Sequence, residues 1–162
     1  MLLYLAYLLV SLGVFAFMEV IAWASHRYIM HGFLWSLHRD HHQPHHGTLE
    51  KNDWFAVIFS IPCILLFWAG MYYNNNWLNA VAAGILLYGM AYFFVHDIIV
   101  HQRIKIFSRS RNKYVRAIRW AHKMHHRHIG ATQGESFGFL YVEKKYRNKI
   151  KQDDELQRKK TL

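Results

Sequence analysis

Residues 54–73, WFAVIFSIPCILLFWAGMYY, form an apolar block without a charged side chain. A polar turn, Asn74-Asn75-Asn76, separates this block from a second uncharged block at residues 77–95. A third apolar block occupies residues 1–25, and its one charged side chain is Glu19. About 20 mostly apolar helical residues cross the hydrocarbon core of a bilayer, whereas the helices of a soluble bundle need a polar stripe. The sequence therefore predicts an all-α integral membrane bundle with about three transmembrane helices in a lipid bilayer.

Basic side chains are distributed very unevenly along the chain. Residues 103–127 contain nine Lys or Arg and no acid, residues 27–51 contain three Lys or Arg, and the asparagine turn contains none. Lys and Arg are enriched in the cytoplasmic loops of membrane proteins. We therefore expect both basic segments to lie in the cytoplasm and the N-terminus to lie outside, an arrangement that an odd number of crossings satisfies.

Ten of the thirteen histidines follow a pattern that occurs twice, HX4H and then HX2HH. The first copy is HRYIMH at 26–31 with HRDHH at 38–42, and the second is HDIIVH at 96–101 with HKMHH at 122–126. Imidazole is the commonest side-chain metal ligand, and all-nitrogen sites suit iron, copper or zinc. Ten ligands are too many for one metal ion, so we expect two ions. The candidate ligands are His26, His31, His38, His41, His42, His96, His101, His122, His125 and His126.

The spacing also predicts how the rings are arranged. Residues i, i+3 and i+4 share one face of an α-helix, so each HX2HH motif should aim its three imidazoles at one point. The two rings of an α-helical HX4H pair would lie about 140° apart around the helix. Two membrane crossings separate the two copies of the pattern, which brings all four motifs to the same face of the membrane. We therefore expect a histidine-rich cap that holds two metals on the cytoplasmic side.

Two acidic residues are candidate partners of these ligands. Glu19 lies inside the first apolar block, where a carboxylate is costly, and it precedes His26 by seven residues on the same helix face. We expect it to accept a hydrogen bond near the metals or to anchor the bundle. Asp97 follows His96 directly and is expected to orient its imidazole, with an ion pair to Arg103 as the alternative.

Three histidines are not expected to bind metal. His45 and His46 lie in a loop with proline and glycine, where a fixed ligand direction is hard to hold, and His128 falls outside the HX2HH spacing. The segment 143–162 has eight basic and four acidic residues and few apolar ones. We expect it to be a mobile charged tail that follows a single membrane domain at residues 1–142.

Several stretches resemble the bacterial β-carotene hydroxylases of the membrane fatty-acid hydroxylase superfamily. The resemblance covers approximately residues 15–142, including NDWFAV before the second apolar block. It implies a di-iron, O2-dependent monooxygenase in the bacterial inner membrane that hydroxylates C3 of β-ionone rings, taking β-carotene through β-cryptoxanthin to zeaxanthin. The ten candidate ligands match the metal-binding positions of the family. The stretches that carry the resemblance are HRYIMHG, HRDHH, VHDIIVHQR, HKMHH and SFGFLY.

The cofactor chemistry implied by the resemblance leads to further expectations. Zinc has no redox chemistry, so a zinc-loaded form should be inactive even if zinc fits the ligands. The chain has no GxGxxG motif for a flavin or nicotinamide, and one cysteine cannot hold an iron–sulfur cluster. An external electron donor, a ferredoxin or a reductase, is therefore expected. The basic segment at residues 103–127 would suit such an acidic partner or anionic lipid equally well, and no nucleic-acid partner is expected.

Three alternatives stay open on the sequence alone. The histidine pattern fits a hydroxylase or desaturase that acts on a fatty acyl chain or a sterol. A carrier of b-type haem between the helices would use at most four of the ten histidines. A metal transporter is a third possibility, although transport ligands belong near the bilayer midplane.

Overall fold

All the regular structure in the described residues, 1–43 and 49–160 of this computed structural model, is helical. Two π-helical segments, Ser25–Phe33 and Phe94–Val100, directly continue the first and fourth α-helices. Short 3-10 turns cover Arg39–His42 and Lys51–Asp53. The predicted all-α class is confirmed. The α-helices are α1 Leu2–Ala24, α2 Trp35–His38, α3 Trp54–Tyr72, α4 Asn76–Phe93, α5 Lys113–His126 and α6 Lys144–Lys160.

Within the described residues, three helical runs are long and apolar enough to cross a membrane. They are Leu2–Phe33, Lys51–Tyr72 and Asn76–Val100. Only 11%, 17% and 22% of their most apolar windows are buried inside the protein. Most of their side chains therefore face outward, which is the exposure expected of helices that are surrounded by lipid. The predicted number of membrane-spanning helices is confirmed.

Helix α4 packs between α1 and α3, and small residues allow the close approach. A Cβ added at Gly84 would lie 2.5 Å from the backbone oxygen of Ser11, so a larger residue there would push α1 and α4 apart. The Ser11 hydroxyl donates to the backbone oxygen of Ala80 at 2.8 Å. On the other side, the buried Cys63 thiol donates to the backbone oxygen of Ala82 at 3.4 Å. Cys63 is thus a small core residue.

The helices α5 and α6 form a cap at one end of this bundle. Helix α5 begins where the Asn112 side chain accepts hydrogen bonds from the backbone N–H groups of Tyr114 and Val115. Its buried Ile118 packs against Ile99 of the π-helical segment that continues α4. The cap core thereby joins α5 rigidly to the end of the third membrane-spanning helix.

The segment that we expected to be a mobile tail is helical in the structure. Helix α6 packs against α5, and its Tyr146 and Ile150 side chains are buried in the cap core. Arg116 of α5 and Asp154 of α6 form an ion pair at 2.5 Å. The sequence gives little sign of this helix because its two buried side chains, one turn apart, are surrounded by charged residues. The division of the chain at residue 142 stays a prediction.

Candidate metal centre

Both HX4H pairs lie on π-helical backbone, which changes the direction of their side chains. The His101 N–H donates to the His96 oxygen at 2.9 Å, closing an i→i+5 bond between the two histidines. A π-helical turn is wider than an α-helical one, so residues five apart return to nearly the same side. The ring centroids of His96 and His101 lie 4.5 Å apart, and those of His26 and His31 lie 5.2 Å apart. The expected separation of 140° was wrong because it assumed α-helical backbone.

A bend at Gly32 brings the first HX2HH motif back to the first HX4H pair. The backbone of Gly32 leaves the helical region at φ −103° and ψ −123°, and α2 follows in a new direction. The rings of His31 and His38 consequently lie 4.9 Å apart. The first copy of the pattern therefore consists of a helix, a bend and a second helix that folds back on the first, all within about fifteen residues.

Among the described residues, the histidines form two groups that could each hold a metal ion. Within each group the ligand atoms lie within 4.8 Å of one another, and every member is buried except His101, which is half-buried. Nine of the ten candidate ligands are thus brought together. The first histidine group is His26, His31, His38, His42 and His125, and the second histidine group is His41, His96, His101 and His122.

The middle histidine of each HX2HH motif crosses to the opposite group. His41 comes from the first half of the chain but belongs to the second group, and His125 of the second half belongs to the first group. The expectation that each motif aims at one point was therefore wrong. The three rings of a motif do share a helix face, but that face borders both histidine groups. The rings of His122 and His125, whose centroids lie 5.6 Å apart, therefore belong to different groups.

His126 is the tenth candidate ligand, and it adjoins both groups without being a member of either. Its Nε2 lies 2.7 Å from Nε2 of His122, and its ring stacks on that of His42 at 4.5 Å. The repeated pattern makes His126 the counterpart of His42, so it stands where the second group would have a fifth ligand.

The Nε2 atoms inside the groups have the spacing of ligands around a metal. They lie 3.1 Å apart in the His26–His38 pair and 2.8 Å apart in the His101–His122 pair. Nitrogens that are 2.0–2.1 Å from a shared ion lie roughly 3 Å apart at right angles. The buried Nε2 of His41 has no hydrogen-bond partner among the described residues. An uncompensated buried nitrogen is costly, and a metal ion would satisfy it, so the donor set fits iron, copper or zinc.

In the first group, each imidazole donates a hydrogen bond through Nδ1–H to a neutral oxygen. Such bonds fix the ring orientation and the tautomer, leaving the Nε2 lone pair free for a metal. Four of the five acceptors are backbone oxygens of residues 128–137, the loop after α5. The acceptors are Phe137 O for His26 at 3.0 Å, Ala131 O for His31 at 3.1 Å, Asn52 Oδ1 for His38 at 2.6 Å, His128 O for His42 at 3.0 Å and Glu135 O for His125 at 2.9 Å.

In the second group, two of the four imidazoles, those of His41 and His96, lie beside carboxylates instead. His41 Nδ1 donates to Oε2 of Glu50 at 2.7 Å, and a carboxylate oxygen of Asp97 lies 3.7 Å from His96 Nδ1. Arg103 ties these acids together, with its Nε 3.1 Å from Asp97 and its Nη2 3.5 Å from Glu50. Asp97 therefore makes both contacts that the sequence left as alternatives, one to the ligand histidine and one to Arg103.

Burial keeps four histidines of the two HX2HH motifs uncharged at neutral pH. Desolvation is the largest cause that lowers the pKa of His38 to about 3, of His42 to about 4 and of His126 to about 3. It also lowers the pKa of His125 to about 2, with the neighbouring imidazoles acting in the same direction. Neutral imidazoles offer lone pairs, so the low pKa values favour metal binding over protonation.

Glu19 is a polar anchor for the segment that follows the loop. Its carboxylate accepts hydrogen bonds from the backbone N–H groups of Phe139, Leu140 and Tyr141 at 2.9–3.1 Å. It also accepts the hydroxyl hydrogen of Tyr88 at 2.8 Å. The anchored segment reaches the first histidine group, since Phe139 stacks on a ligand ring. Glu19 thus supports the metal centre from a distance, and it does not lie among the ligands.

Two aromatic residues border the ligands without having been singled out from the sequence. Phe139 stacks on His26 with centroids 5.0 Å apart and an interplanar angle of 17°. The ring of Phe137 contacts His31 at 5.2 Å and His125 at 5.4 Å. Both residues belong to the SFGFLY run, whose resemblance was noted while no role was assigned to it. They form the apolar wall of the first group.

His128 is not a member of either histidine group, although its backbone oxygen accepts the His42 hydrogen bond. His45 and His46 lie outside the described residues, so their expected lack of a ligand role stays a prediction.

A cavity of about 440 Å³ lies between α1, α3 and α4 and extends to the metal centre. Most of its lining is apolar and comes from the membrane-spanning helices. Its polar end is formed by His96 of the second group and by Asn52, which holds His38, while Phe139 closes the same end. The cavity is thus an apolar space with a metal-ligating wall.

Comparison with known proteins agrees with this arrangement. The fatty acid hydroxylase family matches residues 11–142. The β-carotene hydroxylase of Pantoea ananas is 44% identical over 126 residues, which cover 77% of this chain and 71% of that protein. The β-carotene hydroxylase of Paracoccus sp. (strain PC1) is 41% identical over 84% of this chain and 83% of that protein. The chloroplastic β-carotene 3-hydroxylase 2 of Arabidopsis thaliana is 37% identical over 72% of this chain and 39% of that protein.

No solved structure gives a significant match. The matched residues contain all ten candidate ligands and the segment held by Glu19, so the similarity covers the whole metal centre. The expectation from the sequence motifs is confirmed: this chain belongs to the fatty acid hydroxylase family, and bacterial β-carotene hydroxylases are among its relatives.

Proposed function

We propose that this chain is a membrane-bound, O2-dependent di-iron monooxygenase that hydroxylates C3 of β-ionone rings. The observation that carries the proposal is the pair of adjacent, buried, all-nitrogen histidine groups at the end of an apolar cavity. Family membership and the names of the relatives supply the reaction class and the substrate. The successive products would be β-cryptoxanthin and zeaxanthin.

The proposed ligands are the nine histidines of the two groups together with His126. Iron held there supplies the O2-dependent redox chemistry that an unactivated C–H bond requires and that amino-acid side chains lack. The protein contributes fixed ligand orientations through the Nδ1 hydrogen bonds. It also contributes low histidine pKa values, which keep the Nε2 lone pairs available. Zinc would fit the same nitrogens but would give an inactive protein, because zinc has no redox chemistry.

The protein also controls what reaches the metal centre. Phe137 and Phe139 cover one side of the first group, and Tyr92 stacks on His96 at 4.9 Å. These rings exclude water from the ligands, which protects a reactive centre from side reactions. The cavity admits apolar molecules instead, in agreement with a hydrocarbon substrate.

The electrons are proposed to come from a separate ferredoxin or reductase. The cytoplasmic side of a bacterial inner membrane is the proposed location of the histidine cap, with the N-terminus outside. Nine basic residues at 103–127 support this orientation by the positive-inside rule. The same basic segment would attract an acidic electron donor.

An O2-dependent product assay with metal analysis tests this proposal. Iron-loaded protein in lipid vesicles, supplied with a chemical reductant and ¹⁸O2, should convert β-carotene into products that carry one ¹⁸O atom per hydroxylated ring. About two iron ions per chain should be found, and the zinc-loaded protein should form no product. Parallel vesicles with fatty acyl lipids or sterols test the runner-up substrates. Oxidation of those lipids without any hydroxylated carotenoid would overturn the proposed substrate.

A further inference from the structure

We propose, building on the hydroxylase function above, that the cavity binds one half of a long apolar lipid, which enters sideways from the bilayer between α3 and α4. A symmetric substrate would then have its two ends oxidised in separate visits. The chemical class of the ligand is a rod-shaped hydrocarbon with a ring at its end. The half outside the cavity stays among the lipid chains.

The exposed part of the cavity wall shows where the ligand enters. Ile64 of α3 is 62% exposed, and Leu86 and Phe93 of α4 are 48% and 54% exposed, although all three line the cavity. The lining residues of the first membrane-spanning run are less accessible, with Ala22 of α1 and Met30 of the following π-helical segment buried. The opening therefore lies between α3 and α4. Both helices are membrane-spanning runs, so the opening faces the hydrocarbon core rather than water.

The long direction of the cavity runs parallel to these helices. The lining residues extend from Asn52 to Ile64 on the α3 side and from Ile85 to Asp97 on the α4 side. A separation of twelve residues corresponds to roughly 18 Å of helical rise. Asn52 and Asp97 mark the end at the metal centre, and Ile64 and Ile85 mark the opposite end. A rod lying in this slot would bring its tip to His96, a member of the second histidine group.

The size of the cavity limits how much of a substrate fits. Close packing at protein-interior density gives each non-hydrogen atom roughly 20 Å³. The volume of about 440 Å³ therefore holds roughly 20 such atoms. This is about half of a carotenoid with its forty carbons. Only one ring and the adjoining half of the chain fit, so the molecule must leave and return reversed before its other ring can meet the metals.

Gly89 offers a direct way to fill the opening. It lines the cavity, and a Cβ added there would meet no atom within 4 Å, so a larger side chain can be introduced without a backbone clash. Gly13 of α1 is a matched control, because its added Cβ also meets no atom within 4 Å and it does not line the cavity. Ala56 of α3 lines the opposite wall and provides a second blocking site.

The first test measures carotenoid binding by the purified, iron-loaded protein in vesicles that contain β-carotene. We expect Gly89→Phe and Ala56→Phe to reduce bound carotenoid at least tenfold with unchanged iron content. Gly13→Phe should match the unmodified protein in both measurements. Unchanged carotenoid binding by both blocking variants would overturn the cavity assignment. If one variant fails to fold, as judged by its iron content, the other decides the outcome.

The second test is a pulse–chase experiment in the same vesicles. Labelled β-carotene is turned over briefly, and a large excess of unlabelled β-carotene is then added. Separate visits predict that labelled monohydroxylated product is released and that the chase suppresses its conversion to the dihydroxylated form at least tenfold. Dihydroxylated label that forms without a released intermediate would overturn the proposal. If no carotenoid is hydroxylated but Gly89→Phe still blocks binding, the proposed activity fails while the binding site stands.

Discussion

The first and second histidine groups come from the same repeated motif, yet the two are held in place by different partners. Neutral oxygens accept all five Nδ1 hydrogen bonds in the first group, and four of these oxygens belong to the loop at residues 128–137. In the second group, His41 donates to the carboxylate of Glu50, and Asp97 lies beside His96. Backbone oxygens of one loop thus orient most rings of the first group, whereas carboxylates joined by Arg103 lie beside His41 and His96 in the second.

This difference has an electronic consequence. A carboxylate that accepts a hydrogen bond from a ligand imidazole makes that imidazole a stronger electron donor. A carbonyl oxygen, which has no net charge, does so less. We therefore expect the second group to bind its metal more tightly and to stabilise a higher oxidation state than the first. The two metals would be unequal even though the motifs that bind them are alike.

The largest expected effect comes from the two histidines that cross between the groups. His125→Gln should remove the metal of the first group and His41→Gln that of the second, leaving about one iron per chain in each case. Hydroxylation should fall by more than about 100-fold in both variants, because losing a metal ligand should reduce activity more than losing the hydrogen-bond partner of a ligand does. Elemental analysis and product assays measure these effects. His45→Gln serves as the control, and retention of two irons by either crossing variant would contradict the grouping.

Exchanging the hydrogen-bond acceptors of the ligand histidines should reduce the difference in metal affinity between the two histidine groups. Glu50→Gln replaces the carboxylate that holds His41 by a neutral amide, and it should weaken the second metal by about 10- to 100-fold. Asn52→Asp makes the opposite change at His38 and should tighten the first metal. Lys51, an exposed residue between the two, is the control position as Lys51→Gln. Metal titration of each variant gives the result, and equal affinities in Glu50→Gln and the unmodified protein would refute the role of the carboxylate.

A Glu19 variant tests whether a residue that lies outside both histidine groups affects metal binding in one of them more than in the other. Glu19→Gln places an amide donor against backbone N–H groups and should lower stability by about 2 kcal/mol, since hydrogen bonds to charged groups are strong. Phe139 of the anchored segment stacks on His26 at 5.0 Å and contacts His96 at 5.7 Å, so metal binding should weaken in both groups and more in the first. Thermal unfolding and chelator competition measure both effects. Val20→Ala, a neighbouring exposed position, should change neither.

The metal-free protein should also lose stability in acid. Burial lowers the pKa of His38 to about 3 and of His42 to about 4, whereas an unfolded histidine has its ordinary pKa near 6.5. Below that pH the unfolded chain takes up protons that the folded chain does not, so stability falls as pH decreases from 7 to 5. The unfolding midpoint should therefore drop with acidification. His42→Gln should give a shallower slope, and a flat profile for the unmodified protein would contradict the assigned burial.

The sequence predicts the scaffold well because its signals are local. The uncharged blocks and the asparagine turn correspond to the three long helical runs and the turn between the second and third of them. The convergence of the two halves was also predicted, since an even number of crossings between them follows from the lengths of the apolar blocks. The sequence gives little sign of helix α6 because its two buried side chains, Tyr146 and Ile150, lie among charged residues.

The division of the ligands could not be predicted from spacing. An HX4H pair faces one way on α-helical backbone and another on π-helical backbone, and the choice is made by tertiary contacts. The crossing of His41 and His125 depends on where two groups lie relative to one helix face. The partners Asn52, Phe137 and Phe139 lie far from their ligands in sequence, although both NDWFAV and SFGFLY were noticed as stretches of resemblance. Their physical roles can be assigned only from the folded structure.

With metals bound as proposed, the crossing of His41 and His125 would also couple metal uptake to biosynthesis. While the first half of the chain is being inserted, it carries four of the five nitrogens of one coordination sphere, and the fifth is added only when residue 125 has been made. Neither half can complete a sphere alone, so a truncated or half-inserted chain would not retain iron firmly. Firmly bound metal would thereby mark a chain whose synthesis and insertion are finished.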